Sequence, residues 1–93
     1  MVRHVVVWTM KDDTEGELDG LLEALQALPG EIAEIKALSA GRLLNSSEYD
    51  AALCVDVEDS EALERYRAHP AHQPVVTRLR AVATALVVAD YEL

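Results

Sequence analysis

In this 93-residue chain, the groups able to do chemistry near neutral pH concentrate in one run, Tyr66-Arg67-Ala68-His69-Pro70-Ala71-His72-Gln73-Pro74. An imidazole with an ordinary pKa near 6.5 accepts a proton at cellular pH, and a well-placed general base is worth roughly 10²–10⁴-fold in rate. A neighbouring phenol orients that base or hydrogen-bonds an enolate as its charge develops. The run therefore points to His72 as a general base, with Tyr66 as its partner. Spacing is the obstacle, because on an unbroken helix these two residues lie about 9 Å apart along the axis and on nearly opposite sides. Pro70 disfavours helical backbone at His69, so a bend there folds the chain back and lets both rings converge on one pocket. In the competing reading His72 only fixes the bend, donating to a backbone carbonyl freed by Pro70 or Pro74.

The remaining candidates read as structural. His69 packs against or caps the end of a helix, and His4 lies at the sheet or dimer surface. His69 and His72 have the i,i+3 spacing of a chelating pair, but Pro70 disrupts the regular helix such a pair needs and no third ligand adjoins them. No metal and no cofactor are expected. Asp56 and Asp90 read as solvated or bonded to neighbouring backbone, and Tyr91 as packing on the dimer or a helix end. Cys54 reads as a small buried hydrophobe and Trp8 as core. The glycines at 16, 20, 30 and 41 form no phosphate-cradling loop.

The elements that must position these groups follow from patterning. Val2 to Met10 is short and β-branched, ending in Lys11-Asp12-Asp13, the profile of a strand and turn. Thr14 and Glu17 have capping-box spacing, and Leu18, Leu21, Leu22, Leu25 and Leu28 recur at helical spacing until Pro29-Gly30. The other face of this helix carries Glu15, Asp19 and Glu23. They belong to a group of eight of the seventeen acids between Asp12 and Glu34 that reads as a solvated face. Ile35 to Leu44 reads as a strand whose Gly41 marks either a bulge or a close backbone approach, and Asn45 to Glu48 as a turn. Tyr49 to Val57 alternates, with Ala51, Leu53, Val55 and Val57 on one face, and pairs as a hairpin with the strand before it. Asp59 or Ser60 caps a second helix in which Leu63 and Tyr66 share a face and Glu61 pairs with Arg65. Pro74 suits the first turn of a further short helix, with Val75, Val76 and Leu79 inward and Arg78 and Arg80 outward. Val82 to Asp90 closes the chain as a strand.

This order is β-α-β-β-α-β, an α+β ferredoxin-like fold with a four-stranded antiparallel sheet, and the length fits one domain over residues 1–93. Val5-Val6-Val7-Trp8 and Leu86-Val87-Val88 are apolar on both strand faces, so the sheet face away from the helices needs a cover. Each fully buried Val or Leu is worth about 1.5–3 kcal/mol, against a typical domain's margin of about 5–15 kcal/mol. A second copy of the sheet supplies that cover, giving a homodimer closed into an α/β barrel.

Seventeen acids against eight bases leave a net charge of −9, which repels phosphate backbones and anionic lipid surfaces. Nucleic acid and membrane are therefore not expected as partners. The lone Cys54, the lack of an apolar run near 18 residues and the lack of a signal-peptide layout suggest a reducing, cytoplasmic setting.

His4 near the start of the first strand, Tyr66 with His69-Pro70-Ala71-His72, and the closing Asp90-Tyr91 resemble the stress-responsive α/β-barrel (Dabb) family across nearly the whole chain. The resemblance implies a small dimeric α+β barrel. It also implies kinship with olivetolic acid cyclase, a polyketide cyclase that performs an aldol condensation without a cofactor. Carried over from that enzyme, the catalytic histidine falls on His72 and the assisting tyrosine on Tyr66. A further pocket histidine falls near Ala51 and the first helix offers no tyrosine, so the substrate-shaping lining differs. Three functions follow: a cofactor-independent cyclase or lyase of small apolar carbonyl or polyketide-like compounds, a non-catalytic stress-associated dimer that binds a small apolar ligand, and a cofactor-independent monooxygenase. An apolar cavity of roughly 300 Å³ or more that admits both rings favours the first, and a filled interior the second.

Overall fold

The computed structural model of the chain describes residues 1–45 and 48–93. Its elements are β1 (Val2–Met10), α1 (Leu18–Gln26), β2 (Ala37–Arg42), β3 (Ala51–Val57), α2 (Ser60–Ala68), α3 (His72–Val82) and β4 (Ala83–Glu92). The strands form one sheet in the order β2-β3-β1-β4, every neighbouring pair antiparallel. This is the expected ferredoxin-like α+β fold.

Strand alternation decides which side chains reach the helices. In β1, Val2, His4, Val6, Trp8 and Met10 are buried while the residues between them are half-buried, and β3 repeats the pattern with Ala51, Leu53, Val55 and Val57. Leu18, Leu21, Leu22 and Leu25 of α1, Leu63 and Tyr66 of α2, and Leu79 and Val82 of α3 meet this face in one apolar core. The two central strands and the leucine stripe thus fix the platform on which the bend between α2 and α3 rests.

Several local expectations are corrected. Thr14 does not cap α1: its backbone, at φ −113° and ψ 1°, lacks the extended geometry of a cap, and its hydroxyl donates to the Lys11 carbonyl. A 3₁₀ turn over Glu15–Glu17 leads into α1 instead. β2 is shorter than expected at both ends: Ile35, buried in the core, lies in the segment before it, and Leu43 and Leu44 lie beyond it. Gly41 pairs in register with Ala52, and the sheet's irregularity falls between Thr9 and Met10 in the β1–β4 pairing. β3 starts only at Ala51, since Asp50 clamps the end of β1, its amide donating to the Trp8 carbonyl and its carboxylate accepting from the Met10 amide. The turn expected over Asn45 to Glu48 includes Ser46 and Ser47, which lie outside the described residues.

Asp59 caps α2, accepting from the Ala62 amide at 2.8 Å. Glu61 does not pair with Arg65, which reaches across to Glu34 at 3.3 Å. α3 begins at His72, placing Pro74 in its first turn. Val82 is its last residue, so β4 begins one residue later than expected and runs on to pair Glu92 with Val2.

The sheet face away from the helices carries Val5, Val7, Val87 and Ala89, which the β1–β4 register brings together. Val87 is 49% exposed and Tyr91 48%. On the same face Arg3 forms two hydrogen bonds, of 2.8 and 2.9 Å, to the carboxylate of Asp56, its cross-strand neighbour. Asp56 is thus ion-paired, where solvation or a backbone bond was expected, and the guanidinium holds its carboxyl below the usual carboxylate range. Cys54 is half-buried on this face, not enclosed in the core.

Candidate active site between the helices and the sheet

The break between α2 and α3 is built from local rules. Pro70 forces His69 into extended backbone, at φ −64° and ψ 136°, which ends α2. The His69 ring then caps the bend, its Nδ1 accepting from the Ala71 amide at 3.0 Å. Its backbone carbonyl accepts from the His72 amide at 3.0 Å, which starts the next turn. His69 is therefore structural, as its position at the helix end suggested.

Across this bend the rings of Tyr66 and His72 stand 4.5 Å apart, centroid to centroid, with 53° between their planes. Both line a partly open cavity of about 310 Å³ between the helices and the sheet. Its apolar wall comes from Val6 and Leu53 of the sheet, Leu25 of α1, Val75, Val76 and Leu79 of α3, and Leu86 and Val88 of β4. A hollow of about 370 Å³ on the opposite sheet face, beside Ser39, Gly41 and Cys54, has no imidazole or phenol in its lining.

His72 Nδ1 lies 3.1 Å from the carbonyl oxygen of Arg67. A carbonyl only accepts, so Nδ1 carries the proton and the neutral ring keeps its lone pair on Nε2. The same carbonyl, released when α2 ends, also accepts from the side-chain amide of Gln73 at 2.8 Å. Burial lowers the His72 pKa from its usual 6.5, the carbonyl bond opposes this, and the neighbouring charges of His4, Arg67 and Arg80 add to the lowering. The ring is a neutral base at cellular pH.

Tyr66 is fully buried, and its hydroxyl has no hydrogen-bond partner among the described residues. Burial pushes its pKa up to about 12, so the phenol keeps its proton and remains a donor. A buried, unsatisfied hydroxyl costs about 1–3 kcal/mol, and in a lined cavity it is the group a ligand acceptor would satisfy.

His4 overturns the surface expectation. It is only 6% exposed and lines the cavity, its ring 5.9 Å from that of Tyr66 in an edge-on contact. Asp90, its cross-strand partner, lies 2.6 Å from His4 Nδ1 through one oxygen, and its other oxygen accepts from Arg67 at 2.6 Å. Asp90 is neither simply solvated nor bonded to backbone; it ties β1, β4 and α2 together. Tyr91, one residue on, faces the other side of the sheet opposite Arg3. Its side chain points to the uncovered face, and Trp8 is fully buried as expected. Period-two alternation already places His4 with Val2, Val6 and Trp8, which is the signal that would have found it; its pairing with Asp90 needs the strand register.

The result is a phenol between two imidazoles, each with Nδ1 committed to a fixed acceptor, facing an apolar cavity. Such a site suits proton transfer next to a carbonyl. Among the described residues no three His, Cys, Asp or Glu side chains converge as a metal site would require.

The sequence model of the Stress Responsive A/B Barrel Domain matches residues 2–93. The chain is 38% identical to the uncharacterized protein SCO4036 of Streptomyces coelicolor, over 99% of each chain. Among solved structures it is similar to a dimeric protein of unknown function and ferredoxin-like fold from Bacteroides fragilis. That similarity has a TM-score of 0.88 at 26% identity, covering 99% of this chain and 95% of that one. It also shares its fold with the hydroxynitrile lyase of Passiflora edulis, with a TM-score of 0.90 at 16% identity, over 99% of this chain and 92% of that one.

Proposed function

This chain belongs to the stress-responsive A/B barrel domain family, and from that premise and the geometry of its cavity we propose that it is a cofactor-independent enzyme of small carbonyl compounds. His72 Nε2 takes a proton from the carbon next to the carbonyl. The C–H electron pair moves into a carbon–carbon double bond, and the carbonyl oxygen gains the negative charge. The Tyr66 hydroxyl donates to that oxygen as its charge grows, an interaction stronger in the transition state than in the ground state. In a substrate with a second carbonyl, the enolate carbon attacks it and a new carbon–carbon bond closes a ring. The alkoxide so formed takes the proton back from His72. This is the balance of an aldol cyclisation of a polyketide-like compound, the reaction class of olivetolic acid cyclase.

One observation carries the reading: the buried Tyr66 hydroxyl without a partner, 4.5 Å ring to ring from a base, on the wall of an apolar cavity. That the hydroxynitrile lyase of Passiflora edulis is built on this fold supports only that a chain of this architecture can host lyase chemistry. The experiment is α-proton exchange of a neutral ketone, 2-octanone, in D₂O followed by NMR, with His72→Gln and Tyr66→Phe as controls.

A second reading rests on the hydrogen bond from His72 to the Arg67 carbonyl, which helps hold the bend whether or not the ring does chemistry. In that reading the chain is a ligand-binding dimer without turnover, and exchange by the wild type equals that by His72→Gln.

The assembly belongs to the proposal. The face bearing Val5, Val7 and Val87 fits against a second copy of itself, closing the two sheets into a barrel, and the Bacteroides fragilis protein of this fold is described as dimeric. No helix among the described residues is long and apolar enough to cross a membrane, and a reducing cytoplasmic setting suits the free Cys54.

A further inference from the structure

Most polar side chains lining the cavity already have partners within the protein. His4 and Arg67 meet Asp90, while His72 and Gln73 meet the Arg67 carbonyl. Two lining side chains have none among the described residues, the buried Tyr66 hydroxyl and the guanidinium of Arg80, an exposed residue at the rim, facing outward as expected. Elsewhere the arginines are mostly paired: Arg3 with Asp56, Arg42 with Asp19, Arg65 with Glu34, and Arg67 with Glu64 and Asp90. Of the cations without a carboxylate partner, only Arg80 lines the cavity. A chain with net charge −9 has an abundance of carboxylates, so an unpaired guanidinium at an apolar cavity is a site open to a ligand anion.

Arg80 follows His72 by eight residues on α3, about 12 Å along the helix axis, with Val76 and Leu79 between them on the wall. The cavity therefore offers, in sequence, a buried hydroxyl without an acceptor at Tyr66, an apolar stretch, and a solvent-facing guanidinium at Arg80 that an anion can meet. We infer that the cavity takes an amphipathic carboxylate, a carbonyl compound with an apolar chain whose acid group is met by Arg80. This deepens the proposed function by naming the class of substrate, and rests on that reading for the carbonyl end alone.

The probes are decanoate and decanamide, which share a chain and differ in charge, with binding measured by calorimetry on the full-length protein. The wild type binds decanoate about fivefold or more tighter than decanamide. Arg80→Gln abolishes that preference, and Arg80→Lys restores part of it. Arg78→Gln, which removes an equal charge from the same helix but outside the cavity lining, retains the preference. Equal preference in Arg80→Gln, equal loss in Arg78→Gln, or no binding of decanoate to the wild type each overturns the inference. Exchange of 2-octanone tests His72 without a carboxylate. Exchange without a charge preference refutes the role of Arg80 and keeps the base; a charge preference without exchange does the reverse.

Discussion

The Tyr66 and His72 rings stand 4.5 Å apart on opposite sides of a helix break whose hinge is His69-Pro70. Their separation of six residues would keep them apart on one continuous helix, so the proline sets the geometry of the site. Pro70→Ala lifts the restriction on His69. It lowers stability by up to about 1 kcal/mol, through the freer unfolded chain, and slows ketone exchange by roughly tenfold or more. Urea melts and exchange rates measured together check this, and an unchanged rate speaks against the hinge.

The His72 pKa, lowered by burial, sets a pH signature. The acid limb of the exchange rate has its midpoint below 6.5 and disappears in His72→Gln. Stability follows the same sign: below 6.5 the unfolded chain takes up a proton that the native ring resists. The contribution of His72 is therefore complete above 6.5 and is lost as pH falls through the native value. Tyr66 acts at the other end, since its native phenol stays protonated between the ordinary value of 10.0 and about 12. Its contribution is present below 10.0 and is lost as pH rises through about 12. Melts of wild type, His72→Gln and Tyr66→Phe across pH separate the two.

Asp90 accepts from both His4 and Arg67, at 2.6 Å each. A double-mutant cycle of His4→Ala and Asp90→Ala gives a coupling of about 1 kcal/mol, modest because the Asp90 side chain is 29% exposed. Each single change also slows exchange, because His4 supports the edge of the Tyr66 ring. Additive effects on stability would dissolve the pair.

Val7, in the central strand β1, lies on the uncovered sheet face with Val5 and Val87. Sedimentation at micromolar concentration gives a dimer for the wild type and a monomer for Val7→Asp, which buries a charge in the contact. A monomeric wild type contradicts the barrel.

Much of the fold was legible because hydrophobic period reports burial directly. The leucines from Leu18 to Leu28 and the alternation from Ala51 to Val57 each have one solution on a sheet covered by helices. The ends of elements were less legible. Asp50, whose amide and carboxylate both bond to β1, ends a strand pattern through a contact 40 residues away. Thr14 failed as a cap because the turn before it set its backbone. The bend and its two rings could be read locally from Pro70. His4, Asp90 and Arg80 could not be assigned to the same cavity, because the register of β1 on β4 and the placement of α3 over the sheet are long-range facts.

The central claim is that His72 acts as a base on a carbon acid within this cavity. NMR of 2-octanone in D₂O at pH 7 measures it most directly, comparing wild type with His72→Gln of matched dimer content and melting temperature. Faster loss of the α-proton signals with the wild type, by roughly 10² or more over the variant, is the predicted result. Equal rates in two folded proteins would contradict the account and leave His72 as a strut of the bend.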